Sequence, residues 1–243
     1  MRRGAARARR SSARAEIEER IGHGFADPGR LEQALTHSSA AGRGRRARRS
    51  NERLEFLGDR VIGVVIADAL FRQFPTEGEG DLSRRHAALV RRETLAEVAA
   101  ELTLGRWLIL ARSEEESGGR DNPGILADAL EALIGALYLD GGLAAAEAFI
   151  ARHFASRIAG MAEPPRDAKT ALQEWAQGRG LGLPSYRATQ VAGPAHAPSF
   201  EVVVMLADFP PASATAGSKR AAEQAAAEML LAKLAGELEP APA

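Results

Sequence analysis

The chain has 243 residues, 45% of them apolar and none of them cysteine. It can therefore bury a core, but it cannot form disulfides, thiolate zinc sites or cysteine nucleophiles. No apolar run approaches the ~20 residues of a membrane helix, and the basic N-terminus lacks the apolar segment of a signal peptide, so we expect a cytoplasmic protein with no membrane partner.

Charge is distributed unevenly, although the net charge is zero. Residues 1–50 carry 13 arginines and 5 acids, a net charge of +8, whereas residues 51–160 carry −6 and residues 161–243 carry −2. A basic arm beside an acidic body suggests a polyanionic partner and a cation-binding centre. A solvated tail beside an ordinary surface would give the same numbers.

Capping residues, prolines and apolar periodicity predict helices through roughly the first 160 residues. The Asp27-Pro28 pair is typical of a helix start, and Gly141-Gly142 is expected to end one helix before the next begins. No strand is expected in this part. The predicted helices are 27–36, 51–74, 81–102, 123–139 and 143–158, with Asn51 and Asp81 as caps and an arginine-rich loop over 42–50.

The character of the sequence changes after residue 160. Residues 161–166, with two prolines, read as a linker. The remainder alternates as expected for α-β-β-β-α, with helices over 167–179 and 218–235, strands over 185–191 and 200–206, and a weaker strand within 208–217. We therefore predict an all-α domain over 15–160 and a small α+β domain over 167–235.

Three carboxylates share one face of the helix predicted after Asn51. Glu52, Glu55 and Asp59 lie at positions i, i+3 and i+7, and at ~100° per residue they project in one direction. Glu52, and in part Glu55, can be explained as partners of the helix N-terminal dipole. That explanation does not account for Asp59, which lies in the middle of the helix.

A second pair of acids, Asp128 and Glu131, interrupts a helix that is otherwise apolar nearly all round and should be buried. Buried carboxylates are costly unless they are paired or bind a cation, and no lysine or arginine occurs between Arg120 and Arg152. Oxygen ligands favour Mg²⁺ or Mn²⁺. Two such helices therefore suggest a shared metal site, although unrelated helix acids remain the alternative.

Residues 51–59, Asn-Glu-Arg-Leu-Glu-Phe-Leu-Gly-Asp, resemble the signature motif of the ribonuclease III family. Three further segments resemble elements of that family in the expected order. The first is residues 35–38, the second is residues 79–83, and the third is residues 117–120 together with residues 128–140. The resemblance extends over about residues 15–235. It implies a helical endonuclease domain followed by a double-stranded-RNA-binding domain.

The resemblance also implies roles for individual residues. Asp59 and Glu131 match catalytic positions, Glu55, Asp128 and Glu131 match metal ligands, and Glu52 and Glu79 match auxiliary acids. His37 is expected to be structural, and Arg60 stands where the family usually has serine. The implied enzyme is a homodimer that hydrolyses duplex RNA with Mg²⁺, for which Mn²⁺ can substitute, and leaves 5′-phosphate and 3′-hydroxyl ends.

The C-terminal segment resembles a double-stranded-RNA-binding domain, which reads the shape of A-form RNA. The implied contacts with RNA are Lys169, Thr170, Gln173, Glu174, His196, Lys219 and Arg220. Ala214 and Ala216 replace glycines that are common before the last helix, and Ala221 replaces a frequent third base. With a net charge of −2, this segment alone should bind RNA modestly.

Two other functions remain open at this level. The chain could hold duplex RNA without cutting it, or it could use paired carboxylates to hydrolyse glycosides. The intact set of acids argues against the first, and the RNA-binding segment argues against the second. The arginines of residues 43–49 are expected at the surface, where they would act as a phosphate clamp or remain solvated.

Overall fold

A computed structural model describes residues 14–42, 49–165, 167–192 and 199–236. The chain divides into two compact units between Pro165 and Arg166. The first is called the helical unit and the second the α+β unit.

The helical unit contains seven described helices, in agreement with the all-α prediction for this part of the chain. The described part of α1 is residues 14–21. The others are α2 (Pro28–Ala34), α3 (Glu52–Gln73), α4 (Glu79–Val90), α5 (Arg92–Glu101), α6 (Arg112–Glu116) and α7 (Pro123–Ala159). The predicted cap of α2 is confirmed, because the Asp27 side chain accepts a hydrogen bond from the Gly29 amide at 2.9 Å.

Helix α7 forms the centre of the helical unit, and its buried side chains run from Ile125 to Ile158. The sequence predicted two helices that are separated at Gly141-Gly142, and the structure agrees: the backbone is not helical at Gly142, where φ is 71° and ψ is −170°, so two helical segments meet within α7 at a kink. By length and composition alone, α7 is long and apolar enough to span a membrane. A helix that fills a protein core has the same composition, and α7 packs against its neighbours in that way.

Helices α3 and α7 cross at a pair of glycines. A Cβ atom added to Gly58 would lie 1.7 Å from the carbonyl oxygen of Glu131, and one added to Gly135 would lie 2.2 Å from that of Leu54. No side chain fits in either place, so the two backbones touch. This contact brings the acidic positions of α3 next to those of α7.

One long helix was predicted from Asp81 to about residue 102, and this prediction is wrong. Helix α4 begins two residues earlier, after Gly78, and Arg91 adopts an extended conformation that ends it. Thr94 in the first turn of α5 donates its hydroxyl to the Ala88 carbonyl at 2.8 Å, which satisfies an acceptor that the break leaves open. The chain therefore turns between α4 and α5.

Arg85 is fully buried on α4, with 1% of its side chain exposed. It forms a two-point ion pair with Glu77, its guanidinium lies 3.8 Å from the centroid of the Phe74 ring, and it donates to the Met161 carbonyl at 2.6 Å. Met161, at the start of the predicted linker, thus belongs to the packing of the helical unit.

The α+β unit has the predicted α-β-β-β-α order. Its elements are α8 (Ala168–Gln177), β1 (Ser185–Ala192), β2 (Ser199–Met205), β3 (Ala212–Ala216) and α9 (Lys219–Gly236). The strands form an antiparallel sheet in sequence order, with Tyr186 opposite Val204 and Val202 opposite Ala214. Val202 and Val204 are buried in a core shared with α8 and α9.

Candidate metal centre and nucleic-acid interface

Three carboxylates meet where α3 crosses α7, and they are called the carboxylate cluster. Glu55 comes from α3, and Asp128 and Glu131 come from adjacent turns of α7. One oxygen atom from each residue lies within 4.8 Å of the other two, and all three residues are half-buried. The glycine contact between the helices is what brings these oxygens together.

Burial disfavours the charged forms of all three carboxylates in the cluster, and neighbouring acids add to this effect for Glu55 and Glu131. The pKa of Glu131 is raised to about 7, mainly by burial, and the charge of Asp59 makes the next contribution. Burial also raises the pKa of Glu55, to which Asp128 adds, and it raises the pKa of Asp128. Three crowded oxygen donors whose charged forms are disfavoured fit a hard divalent cation, because bound metal would offset both effects.

Asp59 lies beside the cluster without belonging to it. Its carboxylate, 45% exposed, forms an ion pair with Arg60, whose guanidinium lies 4.5 Å from the centroid of the Phe56 ring. Its charge nevertheless contributes to the raised pKa of Glu131. Arg60, which replaces the usual serine, therefore holds Asp59 in the present arrangement.

Glu52 and Glu79, the acids that the family resemblance predicts to be auxiliary, are not among the three residues of the cluster. Glu52 accepts a hydrogen bond from the Ser50 hydroxyl at 2.6 Å, and its charge contributes to raising the pKa of Glu55. Glu79 accepts a hydrogen bond from the Ser83 hydroxyl one turn later on α4. Glu52 is thus linked electrostatically to the cluster, whereas within the described ranges no such link involves Glu79.

Two further side chains, Arg92 and His37, act on the carboxylate cluster although the local sequence pattern does not indicate it. Arg92, the first residue of α5, lowers the pKa of Glu55 and of Asp128 against the larger effect of burial. His37 also acts to lower the pKa of Asp128, and its Nδ1 caps a short turn by accepting from the Ser39 amide at 3.3 Å. Neither residue is close to Asp128 along the chain, so the local pattern of charges could not reveal them.

Comparison with known proteins bears directly on this arrangement. Residues 27–158 match the family model described as Ribonuclease-III-like, and residues 168–234 match the double-stranded RNA binding motif. Ribonuclease 3 of Cereibacter sphaeroides is 52% identical over 218 residues, which cover 90% of this chain and 94% of that protein. The chain belongs to the ribonuclease III family.

Other relatives agree with this assignment. Ribonuclease 3 of Rhodopseudomonas palustris is 47% identical over 227 residues, covering 93% of this chain and 83% of that protein. The crystal structure of the nuclease domain of ribonuclease III from Campylobacter jejuni is 39% identical, with a TM-score of 0.55, and it covers 59% of this chain and 94% of that domain. The helical unit is thus a ribonuclease III nuclease domain in fold as well as in sequence.

In the α+β unit, most residues that the family resemblance assigned to RNA line one open cavity of about 620 Å³. Lys169, Thr170 and Gln173 reach it from α8, and Lys219 and Arg220 from the first turn of α9. Glu174 is exposed on α8 but is not among the residues that line this cavity, and His196 lies outside the described residues.

Lys169 is already engaged within the α+β unit. Its ammonium donates to Glu223 at 2.6 Å and lies 4.7 Å from the centroid of the Tyr186 ring. Lys219 and Arg220 are both exposed, and the Lys219 ammonium lies 4.0 Å from a carboxylate oxygen of Glu223. The cations most available to a phosphate in this cavity are therefore those of α9.

The basic segments of the chain lie mostly outside the described residues. These segments are residues 1–13 of the N-terminal arm and residues 43–48 of the arginine-rich loop. Arg49, at the end of that loop, is exposed two residues before the buried Asn51. The loop therefore ends next to the first turn of α3, close in sequence to Glu52 and Glu55.

Proposed function

We propose that this protein is a metal-dependent endoribonuclease that hydrolyses phosphodiester bonds in double-stranded RNA. The observation that carries the proposal is the carboxylate cluster at the crossing of α3 and α7, in a chain that also has a double-stranded-RNA-binding domain. The ribonuclease III family is metal-dependent, and an all-oxygen ligand set favours Mg²⁺, with Mn²⁺ able to substitute.

Glu55, Asp128 and Glu131 would hold the metal. When bound, it would activate a water molecule and neutralise charge on the phosphate. Because the pKa of Glu131 is about 7 without a cation, this carboxyl must give up a proton to become a full ligand. Asp59 would act from the edge of the cluster, where Arg60 orients its carboxylate.

The double-stranded-RNA-binding domain would dock the duplex without reading its sequence. Its small α+β fold is suited to the minor grooves and intervening phosphates of A-form RNA. Lys219 and Arg220, at the positive end of α9, would bind phosphate, while Thr170 and Gln173 would face a groove. RNA processing and maturation are the cellular roles that such an activity implies.

The active form would be a homodimer assembled through α3. Phe56, Val64 and Phe71 on this helix are 66%, 57% and 70% exposed, and at ~100° per residue they fall within an arc of about 80°. Exposed apolar residues grouped in this way mark protein interfaces. A relative from Campylobacter jejuni, 40% identical, has been described with flexibility in a region involved in dimer formation of its nuclease domain.

A cleavage assay with end-labelled duplex RNA tests the proposed activity. We expect cleavage in Mg²⁺ or Mn²⁺ but not in EDTA, products with 5′-phosphate and 3′-hydroxyl ends, and little cleavage of single-stranded RNA. Binding of the duplex without cleavage under any metal condition would instead favour an RNA-binding protein. Sedimentation of the same preparation measures whether the protein is a dimer.

A further inference from the structure

The position of Arg92 follows from the packing of α5 against α7. Buried Leu95, Val98 and Ala99 hold α5 in the core, so its first residue lies beside the first turn of α7. The Nη1 atom of Arg92 is 3.9 Å from the point where a Cβ atom on Gly124 would be. Gly124 lies one helical turn before Asp128, so the guanidinium is at the edge of the carboxylate cluster.

Arg92 differs from Arg91 and Arg60 in having no fixed partner among the described residues. In the part of the chain that the structure describes, its exposed guanidinium makes no hydrogen bond or ion pair. Its neighbour Arg91 donates to the Thr94 hydroxyl at 3.2 Å, and Arg60 is paired with Asp59. The donors of Arg92 are therefore available to a ligand.

The charge of Arg92 reaches every member of the cluster. It acts to lower the pKa of Glu55, of Asp128 and of Glu131. It also lies next to the N-terminal turn of α7, where the helix dipole is positive and would repel a guanidinium. An anion between the guanidinium and that turn would be attracted by both.

We propose that Arg92 binds the RNA phosphate next to the carboxylate cluster. The inference rests on the proposed cleavage of duplex RNA and adds a residue that no sequence motif indicated. A guanidinium presents two parallel donors that match the oxygens of a phosphate, and arginine is common at such sites for this reason. Arg92 would fix the register of the backbone against the cluster and offset its negative charge.

The same geometry has an opposite consequence for the metal. A fixed positive charge near three carboxylates repels a divalent cation as long as no RNA phosphate neutralises it. Loss of Arg92 should therefore weaken RNA binding and strengthen metal binding in RNA-free protein. A purely structural residue would not produce opposite effects on the two ligands.

The test compares full-length Arg92→Ala and Arg92→Lys with the wild type and with Arg152→Ala. Arg152 is also exposed but belongs to α7 beyond the kink, and it serves as the matched control. Steady-state cleavage of duplex RNA in Mg²⁺ gives KM and kcat. Binding of the duplex in EDTA at several salt concentrations gives the salt dependence, and the Mg²⁺ concentration that half-maximally raises the Tm measures metal affinity.

Arg92→Ala should raise KM by about tenfold, the equivalent of one charge-assisted hydrogen bond. The slope of log K against log salt should become shallower by about 0.9 for each phosphate that the variant no longer binds. The half-saturating Mg²⁺ concentration should fall severalfold. Arg92→Lys should restore the salt slope but only part of the RNA affinity, because an ammonium keeps the charge and lacks the two parallel donors. Arg152→Ala should match the wild type.

Unchanged KM and salt slope in Arg92→Ala would overturn the inference. So would a parallel decrease in RNA binding, metal binding and Tm, which would indicate a structural role. Cleavage of the duplex by the wild type tests the proposed function alone. The binding and metal measurements on the variants test Arg92 whether or not cleavage occurs.

Discussion

Glu131 carries the clearest chemical signal at the scale of single residues. It belongs to the carboxylate cluster, and its carbonyl oxygen forms the contact with Gly58 at the crossing of α3 and α7. Glu131→Gln should reduce cleavage by at least about a hundredfold, since metal ions contribute several kcal/mol to such reactions and an amide replaces the ligand only in part. Duplex binding in EDTA should be unaffected, because the RNA docks through other surfaces.

Glu147→Gln is the matched control, since Glu147 is exposed on the same helix beyond the kink. Cleavage and gel-shift assays on both variants measure the effect. Near-normal cleavage by Glu131→Gln in Mg²⁺ would remove Glu131 from the metal site.

The raised pKa of Glu131 also predicts how stability depends on pH in metal-free protein. Its pKa is about 7 in the folded chain against an ordinary value of 4.5, so ionisation favours unfolding. The stability that the protonated Glu131 carboxyl contributes to the folded chain is fully present below pH 4.5 and is lost as the pH rises through 7. With allowance for solvent around this half-buried group, the loss is about 1–2 kcal/mol.

The Tm of the wild type in EDTA should therefore fall between pH 5.5 and pH 8. The Tm of Glu131→Gln should fall less over the same range, because an amide does not ionise. Thermal unfolding across this range measures the difference, with Glu147→Gln expected to follow the wild type. If Glu131→Gln and the wild type lose the same stability, burial does not raise the pKa as inferred. Added Mg²⁺ should restore the wild type at pH 8.

At the scale of helices, the site depends on how closely α3 approaches α7. Gly58→Ala would push a Cβ atom into the backbone of Glu131, which cannot move aside as a flexible side chain would. Overpacking of this kind costs about 1–3 kcal/mol or more, and relief by separation of the helices would spread the carboxylate cluster. We expect Gly58→Ala to lose both stability and cleavage.

Gly63→Ala provides the comparison within the same helix. The nearest atom to a Cβ at Gly63 is His86 Nε2 at 3.9 Å, an ordinary contact. Because alanine favours a helix over glycine by up to about 1 kcal/mol, this variant should be as stable as the wild type or more so. Chemical unfolding and cleavage assays distinguish the two variants, and equal behaviour would mean that the glycine contact does not position the site.

Many of the helices, and the residues on their faces, could be predicted from the sequence, because they depend on residues that are close together along the chain. The spacing of Glu52, Glu55 and Asp59 indicates one helix face, and the apolar run around Asp128 indicates a buried helix. The break at Arg91 was missed because its extended conformation is supported by Thr94 and not by a proline or glycine. The proximity of Arg92 to Asp128 was missed because it depends on packing between helices far apart in sequence.

At the scale of the molecule, the division between Pro165 and Arg166 predicts that residues 1–165 fold without the RNA-binding domain. The fragment keeps the carboxylate cluster and the exposed apolar face of α3, so it should form a dimer and cleave duplex RNA. Cleavage should require low salt or high protein concentration, because a tethered second site raises apparent affinity by about 10²–10⁴. Sedimentation and cleavage at two salt concentrations measure both properties.

The residue at which the fragment ends should affect its stability, because buried Arg85 donates a hydrogen bond to the Met161 carbonyl. A fragment of residues 1–158 lacks that acceptor and leaves one donor of a buried cation without its partner, which costs about 1–3 kcal/mol. It should therefore unfold at a lower temperature than residues 1–165, although both contain all of the proposed metal ligands. Equal Tm values would mean that Met161 does not support the helical unit. A monomeric or insoluble 1–165 fragment, with the full chain soluble, would contradict the independence of the two units.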